Sequence, residues 1–163
     1  MKNCSRILRS STVLLAFLSM STHSVTAQQL SKNPNYDEAL AKRLDADQYG
    51  MKQYVMAFLK SGPHRDQDSA TAVNLQRAHL KNIMRMAKEG TLALAGPFLD
   101  GGDVQGIYLF NVKTVEEARK LTETDPAIKA GRLVMELHPW YGSAALMEVT
   151  RIHGMIGKKN IAD

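Results

Sequence analysis

Two residues in this sequence stand where proton chemistry is possible. From Ala70 to Glu89 the apolar residues recur with a helical period. Rotating each position by about 100° gathers Leu75, Met86, Ala72, Ile83, Ala87, Leu80, Val73 and Met84 on one broad arc. Arg77, Lys88, Lys81, Asn74 and Arg85 fill the opposite side. His79 falls inside the apolar arc, with Leu75 one turn before it and Ile83 one turn after. An imidazole so placed faces the core and needs a partner for at least one ring nitrogen. Asp125 immediately precedes Pro126. A carboxylate beside an imidazole fixes its tautomer and makes it a better proton acceptor. Both residues also have a plain structural reading, His79 as a satisfied core histidine and Asp125 as the cap of a turn begun by Pro126. Spacing alone leaves the two readings open.

Other side chains offer less. His138 shares a strand face with Glu136 and could reach a pocket or form a solvated pair. His64 sits among Arg65, Asp66 and Asp68 and reads as surface. Tyr54, Trp140 and Tyr141 could line a cavity or pack in a core. The segment Ala95-Gly96-Pro97-Phe98 ends an apolar run on a glycine and a proline. Proline tolerates a strand end or bulge and glycine admits close backbone approach, so Gly96 and Pro97 fit a pocket rim with Phe98 as apolar wall. No spacing of His, Asp and Glu matches a zinc or calcium motif, so no metal site is expected. Gly101-Gly102 lies in a hairpin and opens no helix, which excludes a phosphate loop, and there is no nucleophile elbow.

The elements that must position these residues follow from local signals. Tyr36 to Asp47 reads as a short helix, and Gln53 to Lys60 as a strand ended by Ser61-Gly62-Pro63. The long helix closes at Gly90. Leu92 to Phe98 and Gly106 to Asn111 read as a hairpin, with Gly101, Gly102 and Gly106 serving its turn. Thr114 with Glu117 forms a capping box opening a helix to about Leu121. Leu133 to His138 reads as the last core strand, stopped by Pro139, with an edge strand around Ala145 to Thr150. The order strand, helix, strand, strand, helix, strand predicts an α+β, ferredoxin-like (split βαβ) antiparallel sheet with its helices on one face. Such a sheet can leave its other face wet, and its strands then alternate apolar and polar. Tyr54 to Leu59 and Ile107 to Phe110 do not alternate. Burial on both sides predicts a second layer supplied by another copy, hence a homodimer with sheets face to face.

Bulk properties narrow the partners. The chain has 163 residues, enough for one domain with a real core. Lys2, Arg6 and Arg9, the apolar Val13 to Met20 and the small residues Val25-Thr26-Ala27 lay out a secretory signal peptide over 1–27. Removing it takes three basic residues, so Lys+Arg falls from 21 to 18 against 16 Asp+Glu, and the net charge from +5 to +2. No dense basic patch interleaved with aromatics remains, so nucleic acid is not an expected partner. Cys4, the single cysteine, is lost as well, which excludes disulfides and thiolate chemistry and suits a periplasm. The expected layout is 1–27 signal, 28–50 a polar extension with a short helix, 51–150 the main domain and 151–163 a basic tail. No stable membrane insertion is expected after cleavage.

Taken together, QYVMAFLKSGP, the histidine in LQRAHLKNI, AGPF, GIYLF, the EEA helix start and the TDP turn resemble the YCII-related (YciI-like) domain family over roughly Gln53 to Val149. The resemblance implies the dimeric α+β barrel fold and a His–Asp pair at a pocket in each subunit, falling here on His79 and Asp125. The family includes a dehydrochlorinase, so the resemblance also implies a pocket able to host proton abstraction. The expectation is a small-molecule enzyme using His–Asp acid–base chemistry without cofactor, of isomerase or elimination type. Two alternatives are a non-catalytic ligand-binding or interaction module with a structural pair, and a cofactor-free monooxygenase.

Overall fold

The computed structural model describes residues 33–159 and 161. The expected signal peptide therefore lies outside the described residues. The compact unit begins at Asp37. Asp37 caps the first helix, α1 (Glu38–Arg43), by accepting from the Leu40 N–H at 2.9 Å. This helix is shorter than the Tyr36–Asp47 expectation. Asp45 adopts the left-handed conformation (φ 55°), and the N–H groups of Asp45 and Ala46 turn back to the Lys42 and Ala41 carbonyls. That closure ends a helix with a residue in the position glycine usually takes.

Four strands form one antiparallel sheet: β1 (Met51–Ser61), β2 (Leu92–Pro97), β3 (Val104–Phe110) and β4 (Leu133–Ser143), in the order β2-β3-β1-β4. This is the ferredoxin-like α+β fold. Between β1 and β2 runs α2 (Ser69–Lys88), capped by Asp68 through the Thr71 N–H at 3.0 Å. Between β3 and β4 lie α3 (Val115–Thr122) and α4 (Pro126–Lys129). The Thr114–Glu117 capping box is present, with the Thr114 N–H 3.0 Å from the Glu117 carboxylate.

Two expectations near the C-terminus are corrected. β4 is not stopped by Pro139 but runs on to Ser143, with Pro139 opposite Val55. Proline removes a donor from the ladder, and an edge strand such as β4 tolerates that. The edge strand expected around Ala145–Thr150 is instead a 3-10 helix (Ala144–Glu148) running into α5 (Val149–Ile156). The Ser143 side chain accepts from the Ala145 N–H at 3.3 Å. Ala, Leu, Met and Glu then favour helix over strand.

At the end of the sheet that carries Tyr54, Leu109 and Phe110 both faces are buried, which explains why the central strands there do not alternate in polarity. On the helix side Val55, Ala57, Leu59, Leu92, Tyr108 and Phe110 pack with Met86 of α2 and Ala118 of α3. On the far side Tyr54, Ala93 and Leu109 pack against Leu146 and Met147 of the 3-10 helix. The chain itself thus supplies the second layer at this end, where the sequence reading assigned it to another copy. Farther along the same face Phe58 and Ile107 are half-buried and Val134 is 43% exposed. Among the described residues no helix is long and apolar enough to cross a membrane.

Candidate active site

His79 projects from the middle of α2 toward the helix-covered face of the sheet and is 7% exposed. Asp125 is fully buried at the cap of α4, where one carboxylate oxygen accepts from the Ala127 N–H at 2.9 Å. The other oxygen, Oδ2, lies 2.7 Å from His79 Nδ1. A carboxylate oxygen accepts, so Nδ1 carries the proton and Nε2 keeps its lone pair. The two residues separated by 46 positions therefore meet, and the cap of α4 is what holds the carboxylate in place. Capping and pairing are one arrangement here, each using a different oxygen.

Tyr108 completes the cluster, and sequence reasoning missed it. Its hydroxyl is 3.4 Å from Nδ1, 3.3 Å from Nε2 and 3.4 Å from Asp125 Oδ2. The tyrosine and imidazole rings stack with a 22° interplanar angle. A hydroxyl nearly equidistant from both ring nitrogens sits over the ring face, so the in-plane lone pair of Nε2 is not consumed by it. Burial first, then the adjacent Asp125 charge, hold the Tyr108 phenol far above its ordinary range. It is therefore a protonated donor at neutral pH. The one signal available was a hydroxyl in the otherwise apolar GIYLF. Phe110 packs edge-on against Tyr108 at 5.6 Å and fixes the ring from below.

The structure does not gather the other candidates around this pair. Side chains alternate across a strand. Tyr108 lies opposite Ala57, so Tyr54 and Trp140 belong to the other face. There Tyr54 is fully buried, donates to the Ser143 carbonyl at 3.0 Å and lies 5.9 Å from the Trp140 ring. Burial pushes its phenol up to about 12. The expectation that they wall a pocket beside His79 is corrected for this reason.

Gly96 pairs with Ile107, also on the far face, and nothing lies within 4 Å of where its Cβ would stand. The close approach inferred there belongs to its neighbour strand. A Cβ on Gly106 would stand 2.6 Å from the Gly96 carbonyl oxygen and 3.1 Å from Pro97 Cα. Gly106 is thus required by strand contact and not by the turn, which uses Gly101 at φ 69°. Pro97 is exposed at the end of β2, and Phe98 is 47% exposed beyond it. Glu136 and His138 form an exposed pair at 2.9 Å, with Lys60 also on Glu136. Lys60 first, then His138, hold the Glu136 carboxyl below its usual range. His64 is exposed, its ring packed over Gly131. Among the described residues no three His, Cys, Asp or Glu side chains converge as metal ligands.

A family profile, the YCII-related domain, matches residues 54–141. The chain belongs to the YCII-related family. The YCII-related domain runs from β1 into β4 and contains His79, Tyr108 and Asp125, whereas α1 and α5 lie outside it. Among curated proteins none matches. One solved structure similar to this YCII-related chain is the 5-chloro-2-hydroxyhydroquinone dehydrochlorinase TftG from Burkholderia phenoliruptrix AC1100, in complex with 2,5-dihydroxybenzoquinone. The two share 19% identity over 53% of this chain and 92% of that one, with a TM-score of 0.40.

Proposed function

We propose that this protein is a small-molecule enzyme that works by acid–base chemistry at His79, without an organic cofactor. The observation that carries the reading is the buried 2.7 Å contact of His79 Nδ1 with Asp125 Oδ2, which leaves Nε2 as the basic atom. In the proposed step Nε2 takes a proton from an activated C–H or O–H of the substrate. Asp125 stabilises the imidazolium that forms, and the Tyr108 hydroxyl holds the carboxylate from the ring face. In an elimination the electron pair of the broken C–H bond becomes a double bond and the leaving group departs with its own pair. In an isomerisation the proton returns to another carbon. The rival, a ligand-binding module with a structural pair, draws support from the double use of Asp125 as cap and partner.

Two measurements separate these readings. A panel of small activated C–H acids, β-diketones and enol lactones among them, is followed by hydrogen–deuterium exchange. His79→Ala is expected to lower the rate about 10²–10⁴-fold with the circular dichroism unchanged. The NMR signals of the His79 ring are expected to move when a turned-over probe is added. Ring signals unmoved by the probe, together with retained exchange in His79→Ala, would remove the acid–base mechanism.

We further propose that the chain is exported to a periplasm and works as a homodimer. Export rests on the composition of residues 1–27. The dimer rests on the partly uncovered far face, where Phe58, Ile107 and Val134 stand among the charged Lys60 and Glu136. Size-exclusion chromatography with light scattering at micromolar concentration is expected to give twice the protomer mass; a protomer mass overturns the dimer.

A further inference from the structure

A groove of about 540 Å³ lies at the opposite end of the sheet from the acid–base cluster, lined by Asp45, Lys52, Lys113, Trp140 and Tyr141 among others. Lys52 is five residues along β1 from Ala57, the residue opposite Tyr108. At about 3.3 Å per residue that is roughly 17 Å away. Neither this groove nor the smaller one beside it, of about 320 Å³, is lined by His79, Tyr108 or Asp125.

The side chain of Lys52 is only 8% exposed, yet its ammonium is poorly satisfied. Its nearest acceptors are the Leu44 carbonyl at 3.4 Å and the Asp45 carboxylate at 3.5 Å, and it lies 5.6 Å from the centre of the Tyr54 ring. Charge-assisted N–H···O bonds are normally about 2.7–2.9 Å. A buried ammonium without such bonds is costly. The same Asp45 carboxylate is also the counterion of Lys113, at 4.0 Å. Two cations thus share one distant carboxylate. Asp47 does not relieve them, because it already accepts from the Tyr49 N–H at 2.8 Å, the Met51 N–H at 3.0 Å and the Tyr141 hydroxyl.

Trp140 also lines the groove. The six-membered ring of Trp140 lies directly over Gly142, where an added Cβ would stand 2.0 Å from two of its carbons. Gly142 thereby lets the indole lie down along β4.

We infer that this groove is a second ligand site, for a small organic anion: its carboxylate bridges Lys52 and Lys113 and its planar apolar body rests on Trp140. The Asp45 carboxylate takes up part of the anion position and competes with the ligand for both ammonium groups.

Trp140 is the single tryptophan of the chain, so the protein's tryptophan fluorescence comes from one residue of the groove lining. Benzoate titrated into the purified protein at low salt is expected to change that fluorescence saturably, with matching heat by calorimetry, whereas neutral benzamide gives no saturable change. Lys52→Met is expected to weaken benzoate at least tenfold, and the exposed Lys113→Met about threefold. Asp45→Gly suits the left-handed position and removes the competing carboxylate, so it is expected to tighten benzoate several-fold. His79→Ala is expected to leave benzoate affinity unchanged.

No saturable benzoate signal, equal binding of benzamide, or weaker binding by Asp45→Gly overturns the site. Should Lys52→Met fail to fold, Lys113→Met and Asp45→Gly decide the charge assignment. Acetate or inorganic phosphate binding as tightly as benzoate overturns the role given to the Trp140 face.

Discussion

Asp125→Ala is expected to cost about 2–4 kcal/mol of stability, the sum of a lost helix cap and of buried donors left without an acceptor. Three donors lose their acceptor at once. The Ala127 N–H loses the cap of α4, the His79 Nδ1–H loses its 2.7 Å partner, and the Tyr108 hydroxyl loses the oxygen it faces at 3.4 Å. Loss of the cap alone is worth about 1 kcal/mol. The rest belongs to burial, since Asp125 is fully enclosed and His79 is 7% exposed. Urea denaturation measures it. The decisive control is the same substitution in a His79→Leu background, where no imidazole is left without a partner. There the loss is expected to shrink by at least 1 kcal/mol, because removing both partners of a buried bond costs less than removing one. Equal losses in the two backgrounds would show that the pair is not coupled.

The second large effect is expected far from any side-chain chemistry. Gly62→Ala places a Cβ 2.1 Å from the Gly131 carbonyl oxygen and 2.8 Å from the backbone carbons of Gly131 and Arg132. Backbone cannot swing aside as a side chain can. The contact is also a built one, because the Gly62 N–H donates to Arg132 at 2.9 Å and the His64 N–H to Gly131 at 3.0 Å. These bonds clamp the end of β1 to the turn that follows α4, hence to the helix whose cap is Asp125. We expect a loss of about 3 kcal/mol or more, at the upper end of overpacking costs. The His79 NMR signal is expected to shift as the turn moves. Gly96→Ala is the counterpart, because its Cβ enters open space. It is expected to be neutral or to stabilise by up to about 1 kcal/mol. Thermal melts of the two variants side by side test the contrast, and similar losses would contradict it.

That contrast shows what was legible. Gly96-Pro97 stands out in the sequence because glycine and proline together break a strand pattern, whereas Gly62 looks like ordinary strand-end punctuation. Which glycine is sterically required depends on the chain that passes beside it, and that chain is some seventy residues distant for Gly62. Pro139 repeats the lesson. It reads as a stop, but β4 is an edge strand whose ladder is one-sided, so the proline is absorbed. The C-terminal helix was missed because Ala145 to Thr150 is short enough for helix and strand patterns to coincide.

The site divides along the same line. The inward direction of His79 followed from helical period, and the capping role of Asp125 followed from Pro126. Their meeting came from family resemblance and is fixed by the fold. Tyr108, Tyr54 and Trp140 could not be sorted, because a strand apolar at every position does not say which residues face which layer.

What the sequence by itself determined is therefore local: the order of the core elements, the caps at Thr114 and Asp125, and the face of α2 that carries His79. Each depends on residues within a turn or two of one another. Tertiary structure alone decided that the Tyr108 hydroxyl lies over the imidazole, that Tyr54 and Trp140 serve the opposite face, and that Lys52 is buried beside a groove. These are contacts between distant segments, set by strand register and by which layer covers each face, and no periodicity along the chain encodes them.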